Sequence, residues 1–141
     1  MDKKQLNELM PRDKNDEDRA KYIASFDYDT VHPVVQEMLR WLRIYRVDDT
    51  SPVADVFIKF FVSNANAAAE DVKKVLTTSR QNHLKYVIVT RVLPEWPRQA
   101  IEQVAFPLTT LVTHSDEPET ALMSLQILAK HNLAEKAWLK A

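Results

Sequence analysis

Residues 51–63 read SPVADVFIKFFVS, a stretch whose apolar side chains indicate the fold of the whole chain. Those side chains recur at the spacing i, i+3, i+4, i+7 and i+8, which places them on one face of a helix. They are Val53, Val56, Phe57, Phe60 and Phe61. Ser51 is suited to cap the first turn, and Pro52 to begin the helix, where no backbone N–H is needed. Because further apolar residues widen the face, we predict the central helix of an all-α domain.

The length and charge of the chain are those of an ordinary soluble domain. Its 141 residues fit one domain, on which we expect residues 1–15 to form an ordered N-terminal arm. Charged residues make up 28% of the sequence and the formal net charge is -1. This balance gives no sign of a surface for nucleic acid or membranes.

The residue types that are missing exclude several classes of site. The sequence has no glycine, so it contains no glycine-rich phosphate loop, dinucleotide fingerprint or nucleophile elbow. It also has no cysteine, which excludes disulfides and thiolate metal sites and is compatible with a reducing compartment. No apolar run has the length of a signal peptide or of a membrane span, which needs about 20 residues. We therefore expect a soluble cytoplasmic protein without a cofactor.

Polar and proline-containing segments divide the sequence into several further helices. After a short first helix, the later helices are predicted to begin near residues 33, 52, 67, 82, 98 and 118. Residues 27–30 are predicted as a turn. Pro107 is expected to kink or split a helix at 97–113. The helix at 118–130 is expected to bury Leu122.

Two segments near the end of the chain need separate treatment. The β-branched run YVIVT at 86–90 has strand propensity. Because no partner strand is visible elsewhere, we predict that residues 84–93 form a buried helix. A last turn at 134–140 is expected to dock through Trp138 and Leu139.

The short connections between these helices predict how the helices are arranged. Helices of this length joined by short loops lie antiparallel to their neighbours. About three such hairpins stacked side by side form an α-solenoid of six to eight helices.

Six segments of the sequence, in chain order, are PRDKNDED (11–18), HPVVQEMLRWL (32–42), SPVADVF (51–57), VKKVL (72–76), LKYVIV (84–89) and VLPEWP (92–97). In their order and spacing they resemble a family of small bacterial HEAT-like proteins of unknown function. Some members of that family are immunity proteins of polymorphic toxin systems. The resemblance implies a HEAT-like α-solenoid and a cognate toxin encoded directly upstream. It brings no catalytic residues with it.

The residues that usually carry chemistry show no catalytic pattern. The four histidines are His32, His83, His114 and His131. No two of them are three or four residues apart, so no helical metal pair is predicted. The neighbouring carboxylates, such as those of Asp48 and Asp49, fall in loops or first turns, where solvated capping acids are common. We therefore predict neither an enzyme nor a metal site.

A loose group of basic residues supports an alternative, a HEAT-like nucleic-acid-binding or base-excision protein. The group consists of Lys73, Lys74, Arg80, Lys85, Arg91 and Arg98. Acidic residues alternate with these cations, whereas a surface that follows phosphates needs unopposed positive charge. A solvated surface of mixed charge is therefore the preferred interpretation, and nucleic acid is not the expected partner.

The preferred functional hypothesis is a non-catalytic immunity protein that covers its toxin in a stoichiometric complex. Tyrosine and tryptophan dominate binding hot spots when they are exposed, and complementary charge accelerates association and selects the partner. The predicted partner-binding residues are Arg43, Tyr45, Asp48, Asp49, Asp55 and Trp96. The acids among them would suit a basic toxin.

Overall fold

The described part of the chain, residues 1–134 of the computed structural model, is all-α and contains nine helices without a β-strand. The helices are α1 (Lys3–Glu8), α2 (Glu17–Ala24), α3 (28–44), α4 (Pro52–Ser63), α5 (Ala65–Thr78), α6 (82–95), α7 (Arg98–Gln103), α8 (Ala105–His114) and α9 (Pro118–Lys130). The all-α prediction is confirmed, but the number of helices exceeds the six to eight expected. No helix in these residues is both long and apolar enough to cross a membrane.

The first additional helix, α1, arises because the N-terminal arm has a complete capping box. The Asp2 carboxylate accepts a hydrogen bond from the Gln5 backbone N–H at 2.8 Å. The Gln5 side-chain oxygen accepts one from the Asp2 N–H at 3.0 Å. These bonds satisfy two donors that a helix start leaves without partners. Leu6 is fully buried, so α1 attaches the arm to the domain.

The central helix α4 forms as its sequence predicts. The Ser51 hydroxyl oxygen accepts a hydrogen bond from the Ala54 N–H at 3.3 Å, and Pro52 is the first helical residue. The predicted face is buried at Val53, Phe57 and Phe61. The helix contacts α2, α3, α5 and α6, so it is covered on several sides.

Helix α3 begins earlier than expected, and the predicted turn at 27–30 is wrong. Tyr28–Val31 is α-helical, His32–Val34 is a 3₁₀ turn, Val35–Arg40 is α-helical and Trp41–Ile44 is again 3₁₀. Tyr28 and Val31 are buried in the core, so packing extends the helix ahead of Pro33. Proline is common in the first turn of a helix, so the sequence suggested a start near Pro33. In the structure Pro33 lies inside α3, within its first 3₁₀ turn.

Helix α6 confirms that residues 84–93 are a buried helix. It consists of an α-helical part, Asn82–Val87, a π-helical turn, Ile88–Val92, and a 3₁₀ turn, Leu93–Glu95. Val87, Val89 and Val92 are fully buried. The π-helical turn precedes Pro94, which cannot donate a backbone hydrogen bond to the preceding turn.

Pro107 was expected to kink or split the helix at 97–113, and the structure shows a split into α7 and α8. This split adds a second helix to the number predicted. The chain leaves helical geometry at Val104, where φ is -106° and ψ is 9°. Proline supplies no N–H and its ring crowds the carbonyl four residues earlier, that of Gln103. Thus α7 ends at that carbonyl, and Pro107 occupies the first turn of α8.

The last helix has the predicted bounds but a different buried face. Leu122 was expected inside and is 56% exposed, whereas Thr120 and Ser124 are buried. The predicted docking of residues 134–140 through Trp138 and Leu139 falls almost wholly beyond the described residues.

Many helices contact their next-but-one neighbours, in two rows, when α7 and α8 are counted as the one helix that Pro107 splits. The most extensive contact is between the consecutive helices α8 and α9. In one row α2 contacts α4, α4 contacts α6, and α6 contacts α9. In the other row α1 contacts α3, α3 contacts α5, and α5 contacts both α7 and α8. Trp96 lies between α6 and α7, and its indole N–H donates to the Phe61 carbonyl of α4 at 3.0 Å.

Candidate functional site

At the end of α3, an arginine and a histidine side chain meet at one backbone carbonyl. Tyr45 leaves the helix with extended geometry, φ -61° and ψ 129°. Its carbonyl oxygen lies 2.6 Å from His83 Nε2 and accepts a second hydrogen bond from Arg46 Nη1 at 2.8 Å. Because a carbonyl oxygen only accepts, His83 Nε2 must carry a proton. Cations also suit the partly negative C-terminal end of a helix.

Aromatic side chains from α3 and α6 meet next to this carbonyl. The Arg91 guanidinium carbon lies 5.1 Å from the centre of the Tyr45 ring, a cation–π geometry. The His83 ring stacks on Tyr86, with centroids 5.7 Å apart and planes 29° apart. Tyr45, His83, Tyr86 and Arg91 thus form one surface, which we call the tyrosine–arginine patch.

A basic cleft adjoins the patch on the side of the α3–α4 loop. It has a volume of about 470 Å³ and is lined by Lys14, Arg43, Ile44, Arg46, Asp49, Gln81 and His83. Three permanent cations and one carboxylate give it a formal charge of +2. Lys14 Nζ and Asp49 Oδ2 form an ion pair at 2.9 Å, with 46% and 64% of the side chains exposed. Such an exposed pair contributes only about 0–1 kcal/mol.

A second concave surface, the α6–α9 groove, lies on the other side of the patch. It has a volume of about 340 Å³ and is lined by Tyr86, Thr90, Arg91, Glu119, Leu122, Met123 and Gln126. The Glu119 carboxylate beside the Tyr86 hydroxyl raises the pKa of that phenol. The exposed Leu122 side chain adds an apolar contact, so the groove combines apolar and charged groups.

Three of the predicted partner-binding residues belong to this region. Arg43 and Asp49 line the basic cleft, and Tyr45 belongs to the patch. Asp48 is exposed in the same loop. Asp55 is exposed in the first turn of α4 and does not line the basic cleft.

The prediction for Trp96 is wrong. Only 2% of this residue is exposed, and its indole N–H is bonded to a core carbonyl. It belongs to the core and offers no surface to a partner.

The sequence predicted Tyr86 to lie in the buried helix at 84–93 and did not connect His83 or Arg46 with this region. A periodic signal for α6 was present, because His83, Tyr86 and Thr90 are spaced as one helical face. The meeting of that face with Tyr45 depends on packing between α3 and α6, which no local pattern contains.

A second polar cluster joins α3 to α5. The Tyr28 hydroxyl donates to Asp71 Oδ2 at 2.7 Å, and His32 Nε2 lies 3.3 Å from the same oxygen. Burial, followed by this carboxylate, raises the pKa of Tyr28. Elsewhere, the predicted basic group is partly neutralised, since Arg98 bonds to Glu102 at 2.8 Å. Within residues 1–134, no three histidine or carboxylate side chains come together as metal ligands.

Comparison with known sequences identifies a family that covers these features. A family model described as a domain of unknown function, DUF5071, matches residues 9–133. No curated protein and no solved structure matches the chain. The matched range contains helices α2 to α9, the basic cleft and the tyrosine–arginine patch. The chain therefore belongs to the DUF5071 family.

Proposed function

We propose that this protein is a non-catalytic binding module, and specifically an immunity protein that neutralises a cognate bacterial toxin by stoichiometric occlusion. The observation that carries the proposal is the tyrosine–arginine patch, which is flanked by two concave surfaces. Tyrosine and arginine are enriched among the few residues that supply most of the binding energy in protein interfaces. The toxin is expected to be encoded directly upstream.

The packing of the helices supports a HEAT-like α-solenoid as the scaffold. In a solenoid each helical pair stacks on the next, so that corresponding helices contact one another along each layer. The two rows of contacts between α2 and α9 support this arrangement when α7 and α8 are counted as one split helix. Such a scaffold presents a rigid, extended surface.

The patch is already ordered without a partner. Both the backbone and the ring of Tyr45 are held, the former by His83 and Arg46 and the latter by Arg91. Ordering a mobile side chain at an interface costs about 0.5–1.5 kcal/mol. A patch that is ordered before binding avoids part of this entropic cost, which favours tight binding of a partner.

The titratable groups support a role in binding over one in catalysis. Among the described residues, those with shifted pKa values are Lys21, Tyr28, Tyr86 and His131. Among the described cavities, none is lined by two of them. Acid–base catalysis instead needs tuned groups that converge on one site.

The test is co-expression of this protein with the product of the gene directly upstream. We expect a stable one-to-one complex in size-exclusion chromatography, together with rescue of cells that the upstream product alone kills. Tyr86→Ala and Arg91→Ala should each weaken the complex about tenfold or more. Tyr22→Ala is the control, because Tyr22 is an exposed tyrosine on α2, outside the patch.

Two results would contradict the proposal. One is a harmless upstream product that forms no complex. The other is binding of duplex DNA with a steep salt dependence, which would favour the nucleic-acid alternative.

A further inference from the structure

We propose that the basic cleft receives a carboxylate, the side chain of an Asp or Glu in an exposed segment of the partner protein, between Arg43 and Arg46. This inference rests on the proposed protein-binding function and names the chemistry of the partner. It reverses the charge expected from the sequence, which emphasised the acids of the same loop.

The first support is that both guanidinium groups are oriented by backbone carbonyls. Arg43 Nη1 donates to the Arg40 carbonyl at 2.8 Å. Arg46 Nη1 donates to the carbonyls of Arg43 and Tyr45, both at 2.8 Å. A guanidinium carries five N–H donors on three nitrogens. Each group therefore keeps the donors of its other two nitrogens for a ligand.

The second support is that these two cations lack carboxylate partners. Among the ion pairs of residues 1–134, Arg19, Arg40 and Arg98 each have an acid, whereas Arg43 and Arg46 have none. The one acid lining the cleft, Asp49, is bound by Lys14. Two neighbouring guanidinium groups repel each other, and an anion between them removes that repulsion. Planar two-point hydrogen bonding favours a carboxylate at such a place.

The surroundings favour an isolated carboxylate over a nucleic-acid strand. In duplex DNA each strand carries one phosphate per about 3.4 Å of helix axis. Asp49 lines the cleft, Asp48 is exposed next to it in the chain, and Glu119 lies beyond the patch in the α6–α9 groove. These carboxylates would repel the phosphates next to a bound one. A protein segment with a single acid beside apolar residues avoids the repulsion and also contacts the Tyr45 ring.

The first experiment uses tetraglutamate as the probe and tetraglutamine as its neutral counterpart, in NMR titrations at low and physiological salt. Tetraglutamate should shift the amide signals of residues 43–46 and the His83 ring signals in a saturable way, and tetraglutamine should not. Arg43→Gln and Arg46→Gln should each weaken tetraglutamate binding about tenfold, the loss of one charge-assisted contact. Lys59→Gln removes one positive charge at a different cleft, on α4, and should leave the affinity unchanged.

Several results would overturn the inference. Equal weakening by Lys59→Gln and Arg46→Gln would mean that only net charge matters. Tighter binding of a short DNA duplex in the cleft would identify a polyphosphate ligand.

The complex with the upstream product separates this inference from the proposed function. If that complex forms and keeps its affinity in Arg43→Gln and Arg46→Gln, the carboxylate site is wrong and the proposed function stands. If tetraglutamate binds in the cleft while no complex forms, the site stands and the proposed function fails.

Discussion

His83 Nε2 lies 2.6 Å from the carbonyl oxygen of Tyr45, a residue that precedes it by 38 positions. The contact joins helix α6 to the end of α3 and places an imidazole ring at the border between the basic cleft and the tyrosine–arginine patch. This hydrogen bond between distant parts of the chain therefore contributes to the geometry of both surfaces.

We expect His83→Ala to lower the free energy of unfolding by about 1 kcal/mol, the usual net contribution of one hydrogen bond. The loss should be visible as an earlier midpoint in urea denaturation with an unchanged slope. The same variant should weaken partner binding, because Tyr86 loses the ring that stacks on it. His114→Ala, at an exposed histidine of α8, is the control. Equal stability of the two variants would show that the His83 contact contributes nothing.

Trp96→Phe should destabilise the protein by about 1–3 kcal/mol without affecting the proposed partner surface. The change removes the hydrogen bond to the Phe61 carbonyl and leaves a smaller ring in a fully packed site. Thermal unfolding measures the loss of stability, and affinity for the upstream product measures whether the partner surface is unaffected. If the variant remains folded but loses affinity, Trp96 contributes to partner binding, and the conclusion drawn from its burial is wrong.

Thr120→Val should stabilise the protein by about 1 kcal/mol. Thr120 is 2% exposed, and its hydroxyl has no hydrogen-bond partner among residues 1–134, so burial of the hydroxyl carries a desolvation penalty. Valine has nearly the same shape without that cost.

Ser124→Ala is the matched comparison for Thr120→Val, because the Ser124 hydroxyl donates to the Thr120 carbonyl at 2.7 Å. Removing this satisfied hydroxyl should bring no gain in stability. Denaturant titration of both variants tests the difference, and a destabilised Thr120→Val would contradict it.

Stability should fall at alkaline pH partly through Tyr28. Its pKa is raised in the folded state, chiefly by burial and further by Asp71, while an unfolded tyrosine has a pKa of about 10. Folding therefore favours the neutral phenol. This contribution is fully present below about pH 10 and is lost as the pH rises from there through the folded pKa.

Tyr28→Phe should therefore show a shallower loss of stability above about pH 10 than the unaltered protein. Urea denaturation at a series of alkaline pH values provides the measurement. Tyr22→Phe alters an exposed ring on α2 and should keep the original slope. Identical slopes for all three proteins would contradict the role of Tyr28.

Part of the candidate site was accessible from the sequence. Arg43, Tyr45 and Asp49 were selected because tyrosine is common in binding hot spots and complementary charge selects a partner. Arg46, His83 and Arg91 were not connected with them, since their proximity arises from the packing of α6 against α3. The positive charge of the cleft was not predicted either. Lys14 lies 35 positions before Asp49 in the chain and meets this acid only in the folded structure.

The sequence by itself determined the all-α class, the central helix α4 and the break near Pro107. These properties depend on periodicity, caps and missing donors within a few residues, so each can be recognised locally. Only the tertiary structure decided that Trp96 is buried, that Leu122 is exposed and that Arg43 and Arg46 share a cleft with His83. Such outcomes depend on which face of each helix is covered by a neighbouring helix. Contacts between residues far apart in the chain determine this.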